Sequence, residues 1–369
     1  MKRSRTFLAL AVGATFLFAA CTGGTASQAP AETTDVRLQL QWAPQAQFAG
    51  YFAAQGEGYF EDEGLNVTFV PGGPDVIPQV AGSAPDGPEF TISWVPKVLE
   101  ARVGTPPSDL VNIAQVFQRS GTLSVSWKDS NITAPADFAG KKVGVWDFGN
   151  EFEVTAAGKK AGLEAGTDYE KVIQPFDMTL LLSRDIDVAE AMIYNEYAQV
   201  LEATNPDTGE LYKPEDLNVI NYNDEGTAML QDALFVRKAW LEQSGNEDVA
   251  TRFLEAAFRG WIFCRDNPDK CIEYTVDQGS TLGAGHQAWM MNEINPLIWP
   301  SPNGIGMMDK ALWDQTVAVS VEAGIIPEAP AAEAFRTDLA EKALANITDA
   351  DTKGTDFQKG SVEVTKGGN

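Results

Sequence analysis

The chain has 369 residues, 44% of them hydrophobic and 21% charged, the composition of a folded protein with room for two ordinary domains. Its formal net charge is −25, which repels phosphate and anionic surfaces and so argues against a nucleic-acid partner or a membrane-bound folded body. The same charge suits a soluble acidic monomer.

The N-terminus opens on the basic "MKRSR". The apolar run "TFLALAVGATFLFAA" follows, too short for a comfortable membrane span. It ends at Cys21, and "TGGTASQAPAETT" then reads as a flexible tether that cannot build a core. The pattern resembles a bacterial lipoprotein signal. It implies a signal peptide over 1–20, a lipid on the Cys21 sulfur, a tether over 21–34, and a body held outside the cytoplasm at the membrane. With Cys21 so used, Cys264 and Cys271 remain as an even pair in an oxidising compartment, and a disulfide is expected across "RDNPDK". A single histidine, His286, cannot furnish a closed zinc site with these cysteines. It is expected to be a packing or surface residue.

From Val36, "VRLQLQW" alternates with the period of a strand, "PQAQFAGYFAAQGEGYF" turns to helical spacing, and "LNVTFVPGG" is a second strand closed by a turn. This is a β-α-β unit with a right-handed crossover. "EFTISWV" and "LVNIAQVFQ" follow as strands around a helix at 96–103. "KKVGVWDFGN" starts what looks like a second such domain, continued by "EFEVTAAGKKAGL", "KVIQPF", "DMTLLLSRDI", "VAEAMIYNEYAQVLEAT" and "LNVINYNDEG". Residues 246–278 read as helical, with Phe253, Ala257, Trp261 and Cys264 on one stripe. Further helices are expected at 308–324 and 330–346. The predicted architecture is α/β with two lobes: 35–122 plus 238–346 in one, 123–237 in the other, and a frayed polar tail over 347–369.

Several phrases carry a family resemblance: "QWAPQAQFAGYFAAQGEGYFEDEGLNV", "FVPGG", "ISWVPKVLEAR", "ADFAGKKVGVW" and "MIYNEYAQV". They resemble the solute-binding proteins of ABC importers in the branch of taurine, sulfonate and thiamine-pyrimidine binders, over about residues 36–340. "NIAQVFQRSG", "QPFDMTLLLSRDID" and "YNEYAQVLEATNP" point within it to the riboflavin-binding members. The resemblance implies a type II periplasmic-binding-protein fold closing on a small-molecule ligand, an ABC permease as partner, and no cofactor. A eukaryotic pyrimidine synthase shares that fold and consumes its own histidine. His286 lies far in sequence from the cleft turns, which argues for binding without catalysis.

In such sheets ligands sit beyond the carboxyl ends of the strands. There the sequence places Trp42, Trp94 and Trp146, faces suited to stacking on a flat heterocycle. Gln45, Gln47, Gln118, Asn150 and Asn195 add amides, Glu151 and Glu196 acceptors, and Tyr51 stands one turn into the first helix. Of Gln45 and Gln47, two apart, only one is expected to face the cleft. Arg119 is the only cation noted in these turns, which disfavours an anionic ligand. Riboflavin is the first expectation and a thiamine pyrimidine precursor the second.

Overall fold

The computed structural model describes residues 33–279 and 283–369. The expected signal peptide, the lipid site at Cys21 and nearly all of the tether lie outside the described residues. No helix among those described is long and apolar enough to cross a membrane.

Among the described residues, alternating and apolar runs form ten strands in two sheets. β1 (Thr34–Gln39), β2 (Leu65–Val70), β3 (Phe90–Ser93) and β4 (Leu110–Gln115) belong to the first. β5 (Thr122–Trp127), β6 (Lys142–Val145), β7 (Glu170–Ile173), β8 (Val188–Met192) and β9 (Leu217–Asn221) form the second, and β10 (Ala233–Arg237) returns to the first. The orders are β2-β1-β3-β10-β4 and β7-β6-β8-β5-β9. Each sheet has the same logic. β1 pairs in parallel with β2 and β3, and β6 with β7 and β8. The strand that arrives from the other lobe, β10 or β5, runs antiparallel to both its neighbours. The two-lobed α/β expectation is therefore met.

The expected start of the returning lobe at 238 is too late, because β10 already pairs with β3 and β4. The crossings run through 116–121 and 222–232. Arg119 belongs to the first of them. Its guanidinium donates to the carbonyls of Pro296, Trp299 and Pro300, so it braces the crossing.

The first lobe is thickened by the C-terminal return. The expected helix over 246–278 is two helices, Asn246–Asp266 and Pro268–Asp277, divided where Pro268 removes a backbone donor. The Cys264–Cys271 disulfide spans the break with Cα atoms 5.5 Å apart. Phe253, Ala257, Trp261 and Cys264 are all buried, as their stripe requires. The helix Ala49–Gly56 crosses here in near contact: a Cβ on Gly260 would stand 2.0 Å from the Gly50 carbonyl oxygen. "FAGY" and "FRGW" are thus one packing device read from its two sides.

Two C-terminal segments depart from expectation. The helix Ala284–Ile298 has no counterpart in the sequence reading, and it links the lobes. Its Gln287 Oε1 accepts from the Ala46 amide beyond β1, while Trp289 Nε1 donates to the Ile193 carbonyl beyond β8. The polar tail is not frayed. The Ser301 and Ile305 amides donate to the carbonyls of Lys353 and Thr352, Lys359 Nζ reaches Glu293 at 2.6 Å, and the Gly367 amide donates to the Glu202 carbonyl. Its polarity is met by these bonds.

Candidate ligand-binding site

The carboxyl ends of β1, β2 and β3 face those of β6, β7 and β8 across a partly open cleft, whose empty space is about 610 Å³ with open solvent included. From the first lobe come Gln41, Trp42, Gln45, Gln47, Trp94 and Lys97, with the turn 73–78 at the rim. That turn can press against β1 because Gly72 has no side chain. A Cβ there would lie 2.8 Å from the Leu40 oxygen and the Trp42 backbone, and the Gly72 amide donates to the Trp42 carbonyl. From the second lobe come Trp146, Phe148, Asn150, Phe176, Tyr194, Asn195 and Glu196.

Aromatic rings meet across the cleft. Phe176, just beyond β7, lies with its centroid 4.3 Å from that of Trp42 and 5.9 Å from that of Trp146, its plane nearly parallel to the latter at 15°. Behind the first-lobe wall runs a chain of buried hydrogen bonds. Gln45 Nε2 donates to Gln47 Oε1 (2.7 Å), and Gln47 Nε2 donates to Asp232 Oδ2 (2.8 Å). Trp94 Nε1 donates to the other carboxylate oxygen of Asp232 (2.8 Å). Burial pushes the Asp232 carboxyl up to about 7, opposed by those two donors. Both glutamines nevertheless line the cleft, against the expectation that only one of them would. Gln45 is extended and Gln47 sits in a 3-10 turn, so neither strand nor helix periodicity governs their directions.

Lys97 is the cation that the sequence reading overlooked, three residues after Trp94 on the helix Val95–Val103. Its Nζ stands 5.4 Å from the Trp94 ring centroid and donates to Asn150 Oδ1 of the opposite lobe at 3.0 Å. Burial pulls its ammonium down to about 8, against the attraction of Glu151, Asp232 and Glu190. On the other side burial pushes Glu196 up to about 7, opposed by the Met192 amide that bonds it. The scarcity of cations therefore excludes less than the sequence suggested, although Lys97 already has a partner.

The cleft lining thus includes eight of the residues expected there from the sequence: Trp42, Gln45, Gln47, Trp94, Trp146, Asn150, Asn195 and Glu196. Three others lie elsewhere. Tyr51 is buried edge-on against Trp261, with centroids 5.7 Å apart, in the first-lobe core. Gln118 donates to the carbonyls of Gln115 and Met307 at the crossing. Glu151 accepts from the Gly149 amide and faces Lys171, 4.0 Å away. The residues missed were Gln41, Lys97, Phe148, Phe176 and Tyr194. Lys97 had a usable signal, one helical turn beyond a strand-end tryptophan, and Phe176 stood in the quoted "QPFDM".

His286 is not a surface residue. It is 1% exposed, its Nδ1 lies 2.8 Å from Glu202 Oε1, and its Nε2 lies 3.0 Å from Asn195 Oδ1, directly behind the cleft lining.

Comparison with known proteins agrees with the architecture. A family model described as NMT1/THI5 like matches residues 45–271. The formylaminopyrimidine-binding protein of Halalkalibacterium halodurans is 28% identical over 277 residues, 73% of this chain and 78% of that protein. The riboflavin-binding protein RibY of Chloroflexus aurantiacus is 24% identical over 318 residues, 84% and 86% of the two chains. A 4-amino-5-hydroxymethyl-2-methylpyrimidine phosphate synthase of Aspergillus parasiticus is 24% identical over 259 residues, 68% and 72%. Among solved structures, the periplasmic aliphatic sulphonate binding protein SsuA of Escherichia coli superimposes with a TM-score of 0.57 at 16% identity, over 89% of this chain and 95% of that one.

Proposed function

Since the chain belongs to the NMT1/THI5-like family, we propose that it is the extracytoplasmic solute-binding protein of an ABC importer, and that its cleft captures a flat, uncharged heterocycle. Riboflavin is the first candidate. The observation that carries this reading is a cleft lined by Trp42 and Trp94 from one lobe, by Trp146 and Phe176 from the other, and by amides from both. Each stacked ring contributes on the order of 1 kcal/mol beyond burial. A ligand held by both lobes favours the closed state, which a permease then recognises. Delivery from a lipid anchor at Cys21 fits this role.

A thiamine pyrimidine precursor is the second reading, favoured by the likeness to the formylaminopyrimidine-binding protein. The likeness to a pyrimidine synthase raises catalysis as a rival. Against it stands His286, whose two ring nitrogens are both engaged in a buried site. Thermal melting with riboflavin, 4-amino-5-hydroxymethyl-2-methylpyrimidine and taurine tests the proposal, because a ligand that binds only the folded state raises the midpoint. Riboflavin is expected to raise it most and taurine not at all. A shift with taurine alone would refute the reading.

A further inference from the structure

Five amides line the cleft, and four of them are already committed within the protein. Gln45 donates to Gln47, and Gln47 donates to Asp232. Asn150 accepts from Lys97 and donates to the Asp147 carbonyl. Asn195 lies between His286 and Glu196, and accepts from Gln199 as well. Gln41 differs from all of these. It lies two residues beyond β1, is 6% exposed and lines the cleft. Its Oε1 is buried and has no hydrogen-bond partner among the described residues. A buried acceptor left unmet is costly, and one on a residue that lines a ligand cleft can be met when the ligand arrives.

We infer that Gln41 reads the edge of the ligand ring, its Oε1 accepting from a ring N–H or exocyclic amine while its Nε2 donates to the acceptor beside it. A primary amide offers that acceptor–donor pair in one plane. An imide edge and an aminopyrimidine edge each offer the complement, and a sulfonate offers no donor. The neighbouring Trp42 supplies the face of the recognition and Gln41 supplies the edge. The inference rests on the heterocycle reading above and narrows it to rings that donate from nitrogen.

Calorimetry with two probe pairs tests it: riboflavin against 3-methylriboflavin, and 4-amino-5-hydroxymethyl-2-methylpyrimidine against the same ring without its amine. The wild-type protein is expected to prefer the donor-bearing member of the pair that it binds by about tenfold or more. Gln41→Leu is expected to lose about tenfold for that member and to bind the two members alike. Its melting midpoint should equal or exceed that of the wild type, since an unmet acceptor is replaced by apolar atoms. If the wild type binds one pair without preference, or Gln41→Leu retains full affinity, the inference fails and the heterocycle reading stands. If the wild type binds neither pair, both fall. Should Gln41→Leu not fold, the preference of the wild-type protein between paired probes decides alone.

Discussion

The two lobes repeat one sheet plan, yet they hold their sides of the cleft in different ways. On the first lobe the wall is braced from behind, Gln45 to Gln47 to Asp232 to Trp94, by bonds of 2.7–2.8 Å among buried groups. On the second lobe Phe148 is 58% exposed with a positive φ of 65°, and Phe176 is half-buried with ring contacts to both tryptophans. The second wall has buried bonds of its own, Asn195 to Glu196 and His286, so the contrast lies in the aromatics. Trp94 is tied to Asp232, whereas Phe148 stands exposed and Phe176 is held by ring contacts.

The largest expected effect breaks the braced side. Asp232→Ala leaves the Gln47 amide and the Trp94 indole without their buried acceptor. It should cost about 3 kcal/mol of stability in urea denaturation and abolish tight binding. An unchanged midpoint would mean that the first wall is not braced as described.

A second test sharpens the contrast through pH. Four buried carboxyls are pushed up: Asp232 and Glu196 to about 7, Glu153 to about 8, and Glu190 well above the usual carboxylate range, each chiefly by burial. Their folded values exceed their unfolded ones. The stability that Asp232, Glu196 and Glu153 contribute is therefore complete below about 4 and is lost as pH rises through 7 to 8. That of Glu190 is lost above the usual carboxylate range. Three of the four belong to the second lobe. Hydrogen exchange at pH 5 and pH 8, corrected for intrinsic rates, should show protection falling more on β6 and β8 than on β1 and β3. An equal fall in both lobes would remove this difference between them.

Smaller again is Trp146→Ala. Its indole nitrogen reaches the Pro175 carbonyl and its ring is buried, so the variant should lose stability yet remain folded, while riboflavin affinity drops about tenfold. The smallest effect belongs to Lys97→Met, which removes the bond to Asn150 across the cleft. Small-angle scattering of the ligand-free protein should register a slightly more open mean shape, with ligand affinity changed by about threefold or less.

The scaffold was legible from the chain because its signals are local. Alternation gave β1, the helical stripe placed Trp261 and Cys264 inside, and three strand-end tryptophans marked one edge of each sheet. What failed was convergence in space. Tyr51 and Gln118 stand near the proper strand ends, but Trp261 and two carbonyls occupy their side chains. The burial of Lys97 is not legible because a cation on an apolar helix turn reads as solvated, whereas here it is buried. The helix Ala284–Ile298 contains Pro296 and mixes buried His286, Gln287 and Glu293 with apolar residues, so no clean stripe announces it. The polar tail resembled a frayed end because its partners are carbonyls and amides distant in sequence.

The most direct test is an equilibrium titration of the purified protein with riboflavin, followed by flavin fluorescence. One-to-one quenching that saturates, and that weakens in Trp146→Ala, is the expected result. Flavin fluorescence that stays unchanged, together with tight calorimetric binding of a sulfonate, would contradict a cleft built for a flat, uncharged ring.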